Sequence, residues 1–340
     1  MKKHNGETAL VAGGAGFIGS HLCRALLQQG YRVVCLDNLL TSRRSNLLAL
    51  EAERDFTFVE GDVLDPLPQE LCDRAGDITR IYNLACAASP PLYQADPEHT
   101  MLTNVVGTDK LLRFAEQTGA RFLLTSTSEV YGDPERHPQV EDYRGYVSCT
   151  GPRACYDEGK RAAEAMTLDF ARVGRADVRV ARIFNTYGPN MNPDDGRVVS
   201  NLVCQALLRL PLTLYGDGRQ TRSFCYVADM VQALMLLMES EAAGPDPINL
   251  GNPEELTITE LVAAIEAIMP HPLEIIYKPL PVDDPTRRQP DISRARAVLG
   301  WHPETALSEG LAKTVAWFQR ELGRNVPAKE TRRVARVAAV

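Results

Sequence analysis

The feature that most constrains the fold is a glycine-rich run that directly follows a short, largely apolar segment near the start of the chain. The segment is Thr8–Ala12, and Gly13–Gly19 reads GGAGFIG, which satisfies both GxGxxG and GxxGxxG. Glycines at these spacings permit a tight strand-to-helix turn and let backbone N–H groups approach a pyrophosphate at the N-terminus of the next helix. The run therefore predicts a dinucleotide-binding loop, although an ordinary turn is the alternative for the glycines alone.

The rest of the chain alternates β-favouring runs with amphipathic segments, which is typical of a parallel sheet covered by helices on both faces. The predicted strands are Thr8–Ala12, Arg32–Asp37, Phe56–Glu60, Arg80–Leu84, Arg121–Thr125, Val178–Phe184 and Pro247–Leu250. The predicted helices are His21–Gln29, Thr103–Gln117, Cys155–Arg172, Val198–Leu208, Val227–Glu239, Ile258–Ile268 and Leu307–Arg320. We expect an α/β fold: a doubly wound parallel sheet of the Rossmann type with a second, smaller mixed α/β substrate lobe.

The regular alternation of predicted strands and helices ends after Phe184, where prolines and glycines interrupt it. We expect residues 1–184 to form a dinucleotide-binding domain, with residues 225–252 returning to it. Residues 185–224 and 253–322 are expected to form the substrate lobe. Residues 323–340 lean basic and are expected to be a terminal tail.

Composition excludes several classes of partner. The formal net charge of −7 over 340 residues argues against a nucleic-acid surface. No apolar run is long enough to cross a membrane, and the first residues lack the pattern of a signal peptide, so a cytoplasmic protein is expected. The eight cysteines form no CxxC pair and no spacing suited to a metal, and we expect them to be reduced packing residues.

An acidic residue at the end of the second predicted strand bears on the choice of dinucleotide. Asp37 follows Gly19 at the spacing at which a carboxylate can accept hydrogen bonds from both ribose hydroxyls. The same carboxylate would repel a 2′-phosphate. The sequence therefore favours NAD over NADP.

A tyrosine and a lysine are the candidate acid/base unit. Tyr156 and Lys160 are four residues apart, which places both on one face of a helix. The lysine is expected to stabilise the tyrosinate and so to lower the pKa of the phenol. An ordinary surface pair is the alternative, but the polar run Thr125–Glu129 directly follows the fifth predicted strand, where open α/β sheets bind ligands.

Several blocks together make the chain similar to the extended short-chain dehydrogenase/reductase family, and within it to the UDP-glucuronate decarboxylases. The blocks are Gly13–Leu22, Ser126–Pro134, Gly151–Arg161, Arg182–Pro189, Gly196–Asn201, Gln220–Phe224 and Asn249–Glu254. The most specific of them read STSEVYGDP and GPRACYDEGKR. The resemblance extends from about Thr8 to about Phe318.

The resemblance implies a role for each candidate site residue. The implied catalytic residues are Tyr156 as base at the sugar 4-hydroxyl, Lys160 as its support, Thr127 as a hydrogen-bond partner of the same oxygen, Ser128 and Glu129 at the carboxylate end of the sugar, and Arg288 in decarboxylation. The implied NAD-binding residues are Gly13, Gly16, Phe17, Ile18, Gly19, Asp37, Asn38, Asp62, Val63, Leu84, Ala85, Tyr156 and Lys160. The implied substrate-binding residues are Pro90, Tyr93, Asn185, Arg197, Val199, Ser200, Tyr215, Arg222 and Arg288.

The implied reaction is an NAD-dependent decarboxylation of UDP-glucuronate to UDP-xylose. Oxidation at carbon 4 gives a ketone into which the electrons left at carbon 5 delocalise when carbon dioxide departs. Glu129 beside a substrate carboxylate is open to three readings: repulsion of the ground state, a protonated acid, or a handler of protons and water. An ion pair with Asp283 or Asp284 is the alternative for Arg288. The resemblance also implies a homodimer formed by the helices at Thr103–Gln117 and Cys155–Arg172.

Other functions remain open at this point. A nucleoside-diphosphate-glucose 4,6-dehydratase shares the oxidation step, but those enzymes carry Asp where this chain has Ser128, and serine is a poor general acid. A 4-epimerase is a further alternative, and a catalytically degenerate dinucleotide-binding protein is the non-enzymatic one. Cys86 and Ala87 replace the family's usual Ser and Pro, which motivates the hypothesis that some UDP-4-keto-xylose escapes together with NADH.

Overall fold

The computed structural model describes residues 6–280 and 287–325. The helices of these residues are α1 Phe17–Gln28, α2 Gln69–Cys72, α3 Pro90–Ala95, α4 Pro97–Leu102, α5 Thr108–Thr118, α6 Ala154–Arg172, α7 Val198–Leu207, α8 Val227–Glu239, α9 Ile258–Glu266, α10 Ser293–Leu299 and α11 Leu307–Asn325. The strands are β1 Thr8–Ala12, β2 Arg32–Asp37, β3 Phe56–Glu60, β4 Ile78–Asn83, β5 Arg121–Thr127, β6 Val178–Ile183, β7 Thr186–Tyr187, β8 Leu212–Tyr215, β9 Thr221–Ser223, β10 Cys225–Tyr226, β11 Ile248–Leu250, β12 Glu255–Thr257, β13 Ile275–Lys278 and β14 Arg287–Arg288.

Seven parallel strands form the main sheet, in the order β11-β6-β5-β4-β1-β2-β3. The predicted doubly wound α/β fold is confirmed. The strand order reverses between β1 and β4, which is the point at which open sheets of this kind bind ligands beyond the carboxyl ends of the strands.

Two apolar cores pack against the sheet, one on each face, and successive side chains of a strand belong to them alternately. Leu10 and Phe122 belong to one core, whereas their chain neighbours Val11 and Leu123 belong to the other. Successive side chains of a strand point to opposite faces, so an almost continuous apolar run is buried on both sides. The sheet is thereby fixed in position, and its carboxyl edge holds the loops of the site.

The bounds of several elements differ from the prediction. The first helix begins at Phe17 rather than His21, with Gly16 at its N-cap, so Gly19 lies inside the helix and not in the turn. The predicted helix Thr103–Gln117 begins as a π-helix over Thr103–Gly107 before it continues as α5. Amphipathic periodicity over the longer segment predicts a helix but does not reveal that its first five residues are π-helical, since so short a segment gives no periodicity of its own.

The remaining strands form three small sheets. β8 pairs with β13, β7 pairs with β10, and β9 lies between β12 and β14. In the last of these sheets Arg222 and Arg288 are register partners. The division of the chain into two lobes stays a prediction, and most of the predicted basic tail lies outside the described residues. Within residues 6–280 and 287–325, no helix is both long and apolar enough to cross a membrane.

Candidate active site

A cavity of about 500 Å³ lies beyond the carboxyl ends of β1, β4 and β5. Predicted site residues that line it are Gly13, Gly16, Phe17, Ile18, Gly19, Leu84, Pro90, Tyr93, Thr127, Ser128, Glu129, Tyr156, Lys160, Asn185, Arg197, Val199, Tyr215, Arg222 and Arg288. A smaller cavity of about 80 Å³ shares Gly13, Gly16 and Leu84 with it and is lined also by Asp37, Asn38, Asp62, Val63 and Ala85. Ser200 lines neither cavity. It is fully buried, and its hydroxyl donates to the Arg197 carbonyl oxygen at 2.8 Å.

The glycine loop leaves no room for side chains. Gly13 has a φ of +78°, and a Cβ there would lie 2.7 Å from the carbonyl carbon of Leu84. A Cβ on Gly19 would overlap the carbonyl oxygen of Gly13. The N-terminus of α1 therefore faces the cavity with its amide groups uncovered, and this arrangement fits a pyrophosphate.

Two carboxylates lie at the second cavity. Asp37 accepts hydrogen bonds from the Ala15 N–H at 2.9 Å, the Leu39 N–H at 2.9 Å and the Ser42 hydroxyl at 2.6 Å. These bonds hold the carboxylate at the end of β2, where the ribose of NAD would lie.

Asp62 pairs with His99 at 2.8 Å and accepts from Asn38 at 2.7 Å. Burial acts to raise the pKa of Asp62, but hydrogen bonds from the Leu64 N–H, His99 and Asn38 outweigh it, so that the pKa is lowered. Asp62 is therefore held as an acceptor at the edge of the cavity.

The tyrosine and lysine lie in α6 and are both buried. The Tyr156 ring stacks on Tyr93 with a centroid distance of 5.0 Å and an interplanar angle of 4°. Thr127 hydrogen-bonds the Tyr156 hydroxyl, and Lys160 donates to the Thr125 carbonyl oxygen at 2.9 Å. Tyr156 is thereby aimed at the end of β5, where the polar run begins.

The expectation that Lys160 lowers the pKa of Tyr156 is wrong for this structure. Burial raises the pKa of the phenol, negative charge on Cys86, Glu129 and Asp157 acts in the same direction, and the hydrogen bond from Thr127 acts against them. Burial also lowers the pKa of Lys160. Spacing in the sequence gives the face of the helix but not the desolvation of the groups on it, which is the larger effect here.

Glu129 is the centre of a compact charged cluster. Its carboxylate lies 2.8 Å from a guanidinium nitrogen of Arg288 and 3.0 Å from one of Arg153. Arg288 also donates to the Asn185 side-chain oxygen at 3.1 Å. All four side chains line the larger cavity beside Thr127 and Ser128. The predicted alternative, an ion pair of Arg288 with Asp283 or Asp284, lies outside the described residues.

Sequence reasoning missed Arg153. The residue lies within the block GPRACYDEGKR and three positions before Tyr156, a spacing that places the two on one helical face. That spacing was the available signal. What the sequence did not supply is the pairing with Glu129, which comes from a different part of the chain.

The other end of the cavity carries the remaining predicted substrate residues. Arg222 is buried in β9, Tyr215 is about one-third exposed at the end of β8, and Val199 lies in the first turn of α7. Arg197 is held by Asp195 at 2.5 Å. The N-terminus of α7 adds backbone amide groups to this end of the cavity, so both cations and N–H donors are available to a diphosphate.

Cys86 lies between the two parts of the site. It lines both cavities, and the Asn104 amide donates to its sulfur at 3.1 Å. Burial raises the pKa of the thiol, although Lys160 and Asn104 act in the opposite direction. The departure from the family pattern at Cys86 thus lies at the wall of both cavities.

These features together define a class. A glycine loop that fits a pyrophosphate, an acid that fits a ribose, and a buried Tyr and Lys pair at the switch point of a Rossmann sheet are the parts of an NAD-dependent enzyme. The chain belongs to the NAD dependent epimerase/dehydratase family, whose model matches residues 9–251.

The chain is also similar to individual proteins of known name and structure. The chain is 49% identical to UDP-glucuronic acid decarboxylase 2 of Arabidopsis thaliana over 320 residues, which cover 94% of this chain and 70% of the relative. It is also 49% identical to UDP-glucuronic acid decarboxylase 1 of Danio rerio over 95% of this chain and 75% of the relative. The structure of UDP-glucuronic acid 4-epimerase from Bacillus cereus, in complex with UDP-glucuronic acid and NAD, superposes with a TM-score of 0.84 at 28% identity and covers 92% of this chain and 99% of its own.

Proposed function

We propose that this enzyme converts UDP-glucuronate to UDP-xylose and carbon dioxide through a 4-keto intermediate. The observation that carries the proposal is the placement of Arg153 and Arg288 on either side of Glu129, in the same cavity as Tyr156 and Thr127. Two guanidinium groups at one end of a sugar site suit a carboxylate substrate.

The chain's own residues account for the proton and charge steps. Tyr156 takes the proton of the 4-hydroxyl, and Lys160 and Thr127 hold the phenol and the sugar oxygen in place. NAD, when bound, supplies the acceptor for the hydride of carbon 4 and the donor that reduces this carbon again. Burial raises the pKa of Tyr156, so a positive charge near the phenol would favour its action as a base.

Decarboxylation then follows from the ketone. The bond between carbon 5 and the carboxylate breaks, its electron pair enters the neighbouring ketone as an enolate, and Tyr156 and Thr127 donate to the enolate oxygen. Arg288 anchors the carboxylate before it leaves. Glu129 keeps the two guanidinium groups in position, which gives a carboxylate a structural reason to lie near the substrate carboxylate.

UDP occupies the end of the cavity formed by β8, β9 and α7 in this proposal. Arg222 and the amide groups of α7 bind the diphosphate, and Tyr215 forms a platform for uracil. Asn185 lies at the other end of the site and holds Arg288, because its side-chain oxygen accepts a hydrogen bond from that guanidinium.

A dehydratase or an epimerase would share the oxidation, so the experiment must separate the outcomes. We propose incubation with UDP-glucuronate, UDP-glucose and dTDP-glucose, with mass spectrometry of the products and absorbance at the NADH band. UDP-xylose from UDP-glucuronate alone supports the proposal. Loss of water from dTDP-glucose, or a UDP-hexuronate of unchanged mass but altered configuration, would replace it by one of the rivals.

The same assay tests whether the keto intermediate escapes. Cys86 and Ala87 motivate that hypothesis, because Cys86 lines both cavities. Release of UDP-4-keto-xylose would appear as a product lighter by two hydrogens with one NADH formed for each molecule. UDP-xylose without any rise in NADH rejects it.

We also propose a homodimer in the cytoplasm. Leu102 and Val106, one helical turn apart, are 39% and 38% exposed beside α6, which leaves an apolar strip for a partner copy. Eight free cysteines are typical of a reducing compartment.

A further inference from the structure

Arg288 lies in a strand that is too short to fix the position of its own side chain. β14 contains only Arg287 and Arg288 and lies at the edge of a three-stranded sheet, beside β9. A strand of this length forms few ladder hydrogen bonds, so the buried polar groups of its backbone need partners elsewhere. The position of the Arg288 guanidinium, which lies 2.8 Å from Glu129, therefore depends on contacts outside the sheet.

Side chains from two other segments hold the peptide group that joins Arg288 to Gln289. The carbonyl oxygen of Arg288 accepts a hydrogen bond from the Ser223 hydroxyl at 3.0 Å. The N–H of Gln289 donates to the side-chain oxygen of Gln139 at 2.8 Å. Ser223 and Gln139 are both buried, and neither lines the larger cavity. They contact the backbone beside Arg288 and not the space that a substrate would occupy.

The backbone of Gln139 extends this contact along the chain. Its N–H donates to the Gln289 carbonyl oxygen at 2.9 Å, and its carbonyl oxygen accepts from the Asp291 N–H at 2.8 Å. Gln139 and Pro290 form an isolated parallel bridge. Gln139 therefore takes the place of a neighbouring strand for the residues that directly follow β14.

Asn249 connects this contact to the turn that carries Glu129. Asn249 is fully buried, and its side-chain nitrogen donates to the Gln139 carbonyl oxygen at 3.0 Å and to the Asp291 carbonyl oxygen at 3.2 Å. Its side-chain oxygen accepts from the Tyr131 hydroxyl at 2.7 Å. Tyr131 and Glu129 lie in the same short helical turn. One buried side chain thus joins the two segments that supply the members of the ion pair.

We propose that Ser223, Gln139 and Asn249 are positioning residues for decarboxylation, which set the Arg288 guanidinium at the carboxylate end of the sugar without touching the sugar themselves. The inference rests on the proposed function, since that function gives Arg288 the task of anchoring the carboxylate that leaves. A displacement of a reacting or anchoring group by about 1 Å can slow a reaction by about a hundredfold, so contacts outside the cavity can control the rate.

The proposal predicts that the two chemical steps separate. Oxidation of carbon 4 depends on Thr127 of β5 and Tyr156 of α6, whereas release of carbon dioxide depends on Arg288 of β14. Loss of a positioning contact should therefore slow the second step and leave the first near its normal rate. A general loss of structure would slow both steps together.

Two small substitutions test the contact beside Arg288. Ser223→Ala deletes one hydroxyl, and Gln139→Met removes the acceptor but keeps a side chain of similar size. After rapid mixing with UDP-glucuronate, the rise of the NADH band measures oxidation and labelled carbon dioxide measures decarboxylation, each per molecule of enzyme-bound NAD. We expect carbon dioxide release to slow by on the order of tenfold and oxidation to change by less than about twofold.

The control for these variants loses buried hydrogen bonds away from the cavity. Asp229 accepts from the Thr305 N–H at 3.0 Å and from the Thr305 hydroxyl at 3.1 Å, and it does not line the larger cavity. Asp229→Ala should lower the thermal stability and leave both rates unchanged. Equal slowing of oxidation and decarboxylation in Ser223→Ala or Gln139→Met, or a normal rate of carbon dioxide release in either, overturns the inference.

The same substitutions in an Arg288→Ala background test whether they act through Arg288. Because no guanidinium remains to be positioned, Ser223→Ala and Gln139→Met should slow carbon dioxide release by less than about a further twofold. Slowing by a further factor of about ten in this background would show that the two side chains act in another way, and the inference would be wrong.

Asn249 is tested against another asparagine of its own block. Asn249→Ala removes the bonds to Gln139, Asp291 and Tyr131, and we expect the same selective slowing of carbon dioxide release. Asn252 bonds the Phe224 carbonyl oxygen at 3.3 Å and the Glu254 N–H at 2.9 Å, and Asn252→Ala should leave this rate within about twofold. Equal rates in the two variants would remove Asn249 from the proposal.

The proposed function and this inference fail in different ways. If the unaltered enzyme releases no carbon dioxide from UDP-glucuronate, the proposed function is wrong and the inference fails with it. If the unaltered enzyme releases carbon dioxide and the Ser223→Ala and Gln139→Met proteins release it at the same rate, only the inference is wrong.

Discussion

At the scale of single residues, the effect of a charged side chain depends on the charged groups beside it. Glu129 in isolation is a carboxylate that would repel an acidic sugar, yet Arg153 and Arg288 lie within 3.0 Å of it. Under the proposed function these guanidinium groups face the substrate carboxylate, and we expect them to offset the repulsion considered for Glu129. A residue whose charge repels the substrate can thus position the side chains of opposite charge that bind it.

Removal of the phenol tests the first step. Tyr156→Phe keeps the ring that stacks on Tyr93 but deletes the group that takes the proton of the sugar hydroxyl. We expect loss of UDP-xylose formation by about a thousandfold or more with UDP-glucuronate binding retained. Product formation by mass spectrometry and affinity by calorimetry are the measurements, with Tyr146→Phe at an exposed tyrosine as the control. Near-normal turnover of the variant would contradict the assignment of the base.

Removal of the Arg288 guanidinium tests its proposed role at the carboxylate of the sugar. Arg288→Ala deletes a partner of Glu129 and of Asn185, and we expect carbon dioxide release to slow by on the order of a hundredfold. Release of labelled carbon dioxide measures this step, and Arg287→Ala at the exposed neighbour is the matched control. A normal rate in the Arg288→Ala protein would remove Arg288 from the mechanism.

At the scale of elements, the site depends on where α1 and α6 begin. The loop before α1 packs closely against the first turn of the helix, at Gly19. α6 presents Tyr156 and Lys160 in its first two turns, so one helix supplies both members of the acid/base pair to the cavity.

A methyl group at Gly19 tests the fit of α1 to its loop. In Gly19→Ala the new Cβ would overlap the Gly13 carbonyl oxygen, so the loop must move. We expect about 1–3 kcal/mol of destabilisation together with loss of bound NAD. Thermal unfolding and the nucleotide content of the purified protein report the two effects. Gly76→Ala is the control, since a Cβ there meets nothing within 4 Å.

Asp157 also gives α6 a pH dependence of stability. Its pKa is raised to about 7 in the folded protein, against about 3.9 for an unfolded chain, so the folded state binds more protons between these values. The contribution to stability is therefore fully present below about pH 4 and is lost as the pH rises through 7. Asp157→Asn should gain stability relative to the unaltered protein between pH 5 and pH 8, as followed by denaturant unfolding. An advantage that does not change with pH would argue against the raised pKa.

At the scale of the whole molecule, segments far apart in the chain complete one cavity. The Rossmann sheet supplies the glycine loop, the end of β5 and α6, whereas β14 and β9 supply Arg288 and Arg222. The pairing of β14 with β9 places the two arginines side by side, one toward each end of the proposed nucleotide sugar. A bound ligand is thereby expected to bridge the seven-stranded sheet and the small sheet that contains β9 and β14.

The apolar strip beside α6 provides the test of assembly. Leu102 and Val106 are exposed in the single chain, and a second copy would cover them. The double substitution Leu102→Glu and Val106→Glu should convert a dimer into a monomer, because charges buried at a two-fold interface are unpaired. Light scattering gives the mass, and Leu48→Glu at another exposed leucine is the control. A monomeric mass for the unaltered protein would contradict the proposed homodimer.

The parts of the fold that depend on local chain geometry were predictable. The glycine spacing, the alternation that builds the parallel sheet and the four-residue step from Tyr156 to Lys160 all follow from dihedral preference and periodicity, which are properties of short segments. β1, β2 and β3 have the predicted bounds for this reason.

Tertiary structure alone decided the electrostatics. The pairing of Glu129 with Arg153 and Arg288, the raised pKa of Tyr156 and the proton affinity of Asp157 depend on burial and on groups brought together from distant segments. Desolvation depends on the surrounding fold and not on residue spacing, so the same Tyr and Lys pattern is compatible with opposite shifts. The sequence by itself determined that a dinucleotide-binding loop and a Tyr and Lys pair lie at the carboxyl edge of one parallel sheet. The tertiary structure decided the pKa shifts and the ion pairs of the groups there, because burial and contacts between distant segments exist only in the folded chain.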